Sequence, residues 1–235
     1  MRHAPSDRRL FFREFLRNFH TTGAILPSGR RLAAALARYA GHGAAPKRIL
    51  EVGPGTGAVT GHIVAALGPQ DTLDLVELNR AFVRRLRRRL RNDPFFQPAA
   101  DRIRVVQAAV QELPGDAVYD LIISGLPLNN FTPELVAEIL GTLFRLLTPG
   151  GTLSFFQYIA VRRLRSLVSG PADRRRLKGI GRVLECALAG EFRREWVWPN
   201  VPPAWVHHLR SATLTQQATG RADCPRRPGG GPASR

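Results

Sequence analysis

Residues 49–57 read Ile49-Leu50-Glu51-Val52-Gly53-Pro54-Gly55-Thr56-Gly57, and this stretch decides the architecture of the chain. A short apolar run ends in an acid. A turn of alternating glycines follows, and Ala58-Val59-Thr60 opens a helix. Glycine lets the backbone take positive φ and lets a ligand rest on the main chain where a Cβ would stand. Free N–H groups at a helix start favour a carboxylate or phosphate. A second apolar run, Leu73-Asp74-Leu75-Val76, ends in Glu77, about twenty residues beyond the turn, where an acid can hold the two hydroxyls of a ribose.

Outward from this unit, strand and helix patterns alternate. Strands are predicted at 48–52, 73–77, 103–107, 119–124 and 152–157, and helices at 57–67, 79–91 and 132–147. That rhythm is the βαβ signature of a doubly wound α/β sheet. Thr148-Pro149-Gly150-Gly151 makes a tight turn into the fifth strand. Upstream, Ser28 is placed to cap a helix over 29–39. Downstream, a basic helical stretch over 161–188 is broken at Ser169-Gly170-Pro171. Segments 192–198 and 204–209 then form a closing antiparallel pair joined by Pro199-Asn200-Val201-Pro202-Pro203. The expected division is an amphipathic helix and loop over 1–35, a catalytic domain over 36–211, and a polar Gly/Pro/Arg tail over 212–235 read as disordered.

The 235 residues suffice for one domain with a full core, and 44% hydrophobic content fits a globular chain. The formal net charge is +17, nearly all of it arginine. Part of that excess can reflect a GC-rich genome, but such a field favours polyanions: nucleic acid or an anionic membrane. No apolar run reaches the length of a membrane span and no signal-peptide core is seen near the start, so a cytosolic topology is expected. Cys186 and Cys224 have neither metal nor redox spacing, which fits a reducing compartment.

Gly53, Gly55 and Ala58 formally satisfy the dinucleotide fingerprint. Two details disfavour a nicotinamide cofactor. Gly57 tightens the spacing beyond what a pyrophosphate loop needs, and Glu51 would repel a pyrophosphate. A cationic amino-acid ligand would welcome that acid, and S-adenosylmethionine carries an ammonium, a sulfonium and a carboxylate. Residues 50–57 with Glu77 resemble class I methyltransferases that use this cofactor. The resemblance implies a Rossmann-like fold with a mostly parallel seven-stranded sheet and helices on both faces. It assigns cofactor binding to Glu51, Gly53, Gly55, Gly57 and Glu77, with Leu78, Ala109, Val110 and Ser124 beside them.

The fourth strand runs into Ser124-Gly125-Leu126-Pro127-Leu128-Asn129-Asn130-Phe131. Ligands of open α/β sheets bind beyond the carboxyl ends of the strands, so this loop should face the donor methyl. Methyl transfer is an in-line displacement that needs an aligned lone pair, and positioning supplies much of the rate. The carbonyls of Gly125 and Leu126 and the side chain of Asn129 can accept an amine's N–H bonds. Phe131 or Tyr158 can face a cationic methylated product. Leu126, Asn129 and Tyr158 are therefore the expected catalytic residues, with no single general base. His207-His208 lies on a strand, so at most one of the two can face the site. No acid or cysteine completes a metal cluster with them, and no metal is assigned.

Leu126-Pro127 also resembles the loop of rRNA adenine dimethylases. Gly125 replaces that loop's asparagine, Leu128 replaces its aromatic, and no separate helical RNA-binding domain follows. A broader set of segments resembles bacterial lipid-amine N-methyltransferases, the soluble-type phosphatidylethanolamine and ornithine lipid enzymes. These are the Phe/Arg helix over 10–19, residues 22–33, the 124–131 loop and Asn200-Val201-Pro202-Pro203-Ala204. The resemblance implies a peripheral enzyme on the cytoplasmic face of the inner membrane, a lipid amine as substrate and S-adenosylmethionine as cofactor. Phe11, Phe12, Phe15, Leu16 and Phe19 share one helical face, and Arg13 and Arg17 lie on the other, as an interfacial helix requires. The arginines over 84–91 read as a solvated face that also sees anionic lipid. Arg162, Arg163, Arg165, Arg174, Arg175 and Arg176 lie nearer the substrate side. Ornithine lipid is slightly preferred over phosphatidylethanolamine. RNA adenine methylation and a non-catalytic cofactor-fold protein remain the alternatives, and no protein partner is inferred.

Overall fold

A computed structural model describes residues 29–41, 43, 45–158, 171–198 and 203–211. The expected interfacial helix over 10–19, the Ser28 cap, Arg162, Arg163, Arg165, the loop over 199–202 and the tail over 212–235 lie outside them. Seven strands form one sheet: β1 (Arg48–Val52), β2 (Thr72–Val76), β3 (Ile103–Val106), β4 (Tyr119–Ser124), β5 (Leu147–Tyr158), β6 (Glu191–Val197) and β7 (Ala204–Arg210). Their order is β3-β2-β1-β4-β5-β7-β6. The first five are mutually parallel, and β7 lies antiparallel between β5 and β6. Strand order reverses between β1 and β4, which puts the crevice for a ligand at the ends of those two strands.

Helices α1 (Arg30–Leu36), α2 (Ala58–Ala66), α3 (Arg80–Asn92), α4 (Pro133–Leu146) and α5 (Pro171–Ala187) cover both faces. One core joins Leu32 and Leu36 of α1, Val59 and Ile63 of α2 and Leu86 of α3 to Ile49, Leu73, Leu75 and Ile123 of the sheet. The other joins Leu135, Val136, Ile139 and Leu143 of α4 and Leu177, Ile180 and Leu184 of α5 to Leu50, Val52, Ile122 and Phe155. Consecutive residues of β1 and β4 thus enter opposite cores, which is why apolar residues stand side by side in both, Ile49-Leu50 and Leu121-Ile122-Ile123.

Sequence signals fix the helix ends. Thr132 Oγ1 accepts the Leu135 N–H at 3.3 Å ahead of Pro133 in the first turn of α4. Asn79 Oδ1 accepts the Ala81 N–H at 2.8 Å at the start of α3. Two expectations need correction. The division at residue 36 runs through α1, whose Leu32, Ala33, Ala35 and Leu36 are buried, so that helix belongs to the sheet domain. The helical pattern gives α3 a core face of Phe82, Leu86 and Leu90, whereas its buried residues are Val83 and Leu86 and Phe82 is only half-buried.

Candidate active site

The glycine turn after β1 bends through three positive-φ residues, Gly53 at 70°, Gly55 at 55° and Gly57 at 84°. Each does something different. A Cβ on Gly53 would stand 2.8 Å from Leu126 Cδ2, so this glycine lets the loop after β4 close over the turn. A Cβ on Gly55 would meet nothing within 4 Å, which leaves open space over its backbone. Gly57 caps α2, and a Cβ there would fall 2.9 Å from a guanidinium nitrogen of Arg89. That guanidinium donates to the Thr56 and Gly57 carbonyls at 3.3 and 3.4 Å, stacks on the Phe96 ring at 4.3 Å and pairs with Asp93. Arg89 therefore leaves the solvated face to which the sequence reading consigned the α3 arginines. A guanidinium satisfies two carbonyls that a tight turn leaves pointing outward.

Glu77 follows the last residue of β2 and is buried. Its two oxygens accept the Gly55 N–H at 3.0 Å and the Asn79 N–H at 2.8 Å. The acid thus ties the end of β2 to the glycine turn and stands at the switch point.

Glu51 sits one residue before the end of β1, on the α2 side of the sheet, and is buried. Burial pushes its carboxyl up to about 8, and the charge of Glu77 adds to that rise. Thr60 at the start of α2 offsets part of the shift. Even so, Glu51 Oε2 and Thr60 Oγ1 both lack a formed hydrogen bond among the described residues. A buried, unsatisfied carboxyl beside an open glycine turn is a costly feature unless a cationic ligand completes it. The ammonium and sulfonium of S-adenosylmethionine suit it, with Glu77 on the ribose and the Gly55 backbone against the ligand.

Beyond β4 the loop folds onto this turn. A Cβ on Gly125 would lie 2.7 Å from the Gly53 carbonyl oxygen, and the Gly125 N–H donates to the Val52 carbonyl at 2.8 Å. The requirement for glycine at 125 explains why the asparagine of the RNA dimethylase loop is missing. Pro127, at φ −79° and ψ 78°, makes an inverse γ-turn in which the Leu128 N–H donates to the Leu126 carbonyl at 3.0 Å. One lone pair of that carbonyl is thereby used. The Leu126 side chain is buried with Leu128 and Phe131 and contributes packing, which leaves its carbonyl as the group it can offer a ligand. Asn129 is buried, and its Oδ1 meets no hydrogen-bond donor among the described residues. Arg176 of α5 donates to the Asn129 and Phe131 carbonyls at 3.1 and 2.9 Å and holds this loop by its backbone.

The remaining expected residues fall around this centre. The Ser124 hydroxyl accepts the Leu126 N–H at 3.4 Å, a long bond that braces the start of the loop. Val110 is buried below a short 3-10 turn (Val110–Glu112), and the Ala109 N–H is capped by Glu112. Leu78 packs against the α4–α5 core. Tyr158 ends β5 and packs edge-on against Phe156 in the opposite core, away from Leu126 and Phe131, and its hydroxyl is held protonated by burial. The two histidines do split between faces. His207 bonds Glu191 at 2.6 Å and stacks on Phe155, whereas His208 bonds Ser154 at 2.8 Å and Glu195 at 3.1 Å. Both are buried, and burial outweighs their glutamates and lowers both pKa values, that of His208 to about 4. Sequence reasoning missed Arg89, Thr60 and the bracing role of Arg176. Nothing in the local sequence singles out one arginine of a run for a carbonyl many residues away. A depression of about 440 Å³ lined by Lys47, Arg48, Thr72 and Arg104 lies at the opposite end of the sheet and takes no part in this site.

Comparison with known proteins agrees with this geometry. Residues 49–151 match the family described as a methyltransferase domain. The ornithine lipid N-methyltransferase of Singulisphaera acidiphila is 27% identical over 63% of this chain and 76% of its own length. A ubiquinone/menaquinone biosynthesis C-methyltransferase of Vibrio parahaemolyticus is 33% identical over 49% of this chain, which spans 43% of that relative. Among solved structures, the N-methyltransferase NodS of Bradyrhizobium japonicum, in complex with S-adenosylhomocysteine, superposes with a TM-score of 0.58 at 17% identity over 77% of this chain and 86% of that one. The 1,6-didemethyltoxoflavin-N1-methyltransferase of Burkholderia thailandensis gives 0.58 at 19% identity over 90% and 92%. Residues 49–151 match a methyltransferase domain, and the fold is that of class I S-adenosylmethionine-dependent methyltransferases, so the findings support an S-adenosylmethionine-dependent methyltransferase. Its fold is the Rossmann-like, mostly parallel seven-stranded sheet read from the sequence.

Proposed function

We propose that this enzyme N-methylates the amine headgroup of a membrane lipid, ornithine lipid first and phosphatidylethanolamine second, at the anionic cytoplasmic face of the inner membrane. The observation that carries the reading is the buried, unpartnered Asn129 Oδ1 in the loop beyond β4. An amide oxygen there accepts an N–H from a neutral amine and so aims its lone pair. The free lone pair of the Leu126 carbonyl offers a second acceptor, and Arg176 holds the Asn129 and Phe131 backbone beside it. The cofactor supplies the electrophilic methyl group. The similarity to the ornithine lipid enzyme supports a lipid amine, and a net charge of +17 supports an anionic surface. A second reading, C-methylation of a quinone precursor, is favoured by the 33% similarity to the ubiquinone/menaquinone enzyme.

Lipids, quinones and rRNA from cells expressing the protein separate these readings by mass spectrometry. Methyl groups added to ornithine lipid or phosphatidylethanolamine support the proposal. A methylated quinone precursor or methylated adenine, with unmodified lipid amines, overturns it.

A further inference from the structure

All three tryptophans of the chain meet at one corner of the fold. Trp196 of β6 opposes Trp205 of β7 in register with ring centroids 5.1 Å apart, and Trp198 stands edge-on to Trp196 at 5.4 Å. Trp196 is 57% and Trp198 67% exposed, the two most exposed large apolar side chains among the described residues. The register says where this corner is. Trp205 pairs with Gln157, two residues beyond Phe155, and Phe155 is level with Ser124 at the end of β4. The aromatic corner therefore lies at the end of the sheet where the ligand crevice opens. The start of α5 is at this end too, since Arg176 reaches the loop after β4, and Arg175, Lys178 and Arg182 of that helix are exposed.

We infer that Trp196 and Trp198 form an interfacial anchor that sets the mouth of the active site against an anionic lipid bilayer. Indole combines a large apolar face with one N–H donor and concentrates at the boundary between acyl chains and headgroups. The exposed cations of α5 supply the charge that draws such a surface in. A second copy of the chain is a poorer occupant. The two exposed rings offer on the order of 300 Å², and a standard interface buries about 800 Å² on each partner. The inference rests on the lipid-directed reading for its partner, but its test needs no turnover.

Because every tryptophan is in this corner, the emission of the full chain reports on it directly. Vesicles of phosphatidylglycerol and phosphatidylcholine should shift that emission to the blue, and brominated acyl chains should quench it; pure phosphatidylcholine should do less. Trp198→Ala, and Trp196→Ala with Trp198→Ala, should bind the anionic vesicles about tenfold more weakly or worse while binding S-adenosylmethionine as the parent does. Circular dichroism confirms the fold, and Trp198→Ala lies beyond the strand should the double variant fail. Sedimentation with vesicles and no quenching would overturn the inference, because contact would then lie elsewhere. So would a blue shift that grows with protein concentration in the absence of lipid, which would mean a second copy. Quenching without methylated lipid would leave the anchor standing and remove the proposed substrate instead.

Discussion

Replacing Glu51 with glutamine should make the cofactor-free protein more stable and the cofactor-bound protein harder to form. The native carboxyl keeps its proton to about 8, while the unfolded chain loses it near 4.5. Between those values the native state holds more protons than the unfolded state, so this group's contribution to stability falls as pH rises. It is fully present below 4.5 and gone by about 8. At about 1.4 kcal/mol per unit of pKa, the cost against a permanently neutral glutamine is about 3 kcal/mol at pH 7 and about 5 kcal/mol above pH 8. Urea unfolding of apo wild type and Glu51→Gln should give equal stabilities near pH 4 and a gap that opens with pH and then levels off. Affinity should move the other way. Loss of a charge-assisted contact costs roughly 1.5–3 kcal/mol, or some 10- to 150-fold in Kd. At pH 7 the wild type must first give up its proton, so calorimetry in two buffers of different ionisation enthalpy should show release of close to one proton. The α-ammonium of the ligand titrates in the same window, so the comparison that counts is wild type against variant at each pH. A stability gap that does not change with pH, or equal affinities throughout, would refute the argument that this acid is held uncharged for a cation.

Glu77→Ala should weaken S-adenosylmethionine binding by roughly 1.5–3 kcal/mol and also lower the melting temperature of the apo protein, because the Gly55 and Asn79 amides lose their acceptor; calorimetry with a thermal melt reads both. Arg176→Ala should lower kcat more than cofactor affinity, since it frees the carbonyls of Asn129 and Phe131 and leaves the glycine turn alone; steady-state kinetics beside binding calorimetry separates the two effects. Gly125→Ala should destabilise by about 1–3 kcal/mol, because its Cβ meets the Gly53 carbonyl. Gly141→Ala, exposed on α4 with nothing within 4 Å, should stabilise by roughly 0.5–1 kcal/mol and serve as the control.

The parts of the fold that were legible in the sequence are those whose signal is local. β1 and β4 came out with their bounds because their apolar runs end at a glycine turn and a Gly-Leu-Pro turn. The α4 start was legible from Thr132-Pro133-Glu134. Glu51, Glu77 and the three glycines sit together at the switch point for the same reason, since one short segment carries most of the cofactor side. What the sequence hid is non-local. The Arg176 contact with the loop after β4 crosses from α5, and Arg89 reaches the glycine turn from α3. Each is one basic residue among several, and only the tertiary fold says which points inward. Tyr158 shows the converse. Strand-end position suggested the site, but alternation along β5 turned its ring into the other core beside Phe156. The membrane-facing reading of the first residues concerns a segment outside those described, so it stands as a proposal.

The contact between Gly53 and Gly125 explains how one short sheet edge combines two jobs. The cofactor turn and the acceptor loop meet backbone to backbone, and the Leu126 side chain fills the space that a Cβ on Gly53 would take. Neither loop can shift by a few tenths of an ångström without moving the other, because both are tied to sheet hydrogen bonds at Val52 and Val76. In-line transfer requires that donor and acceptor be held at a fixed separation, and rigid close packing gives that at no cost at the moment of reaction. Specificity is then left to whatever approaches from beyond the strands. On the proposed reading the acceptors are the Asn129 amide oxygen and the Leu126 carbonyl, which recognise N–H groups in general and do not distinguish a lipid amine from another amine. On that reading, selection by surface does what selection by pocket does not. A strongly basic protein with an exposed indole corner at the mouth of its site would choose its amines by where they are presented, at an anionic interface, more than by their individual shape.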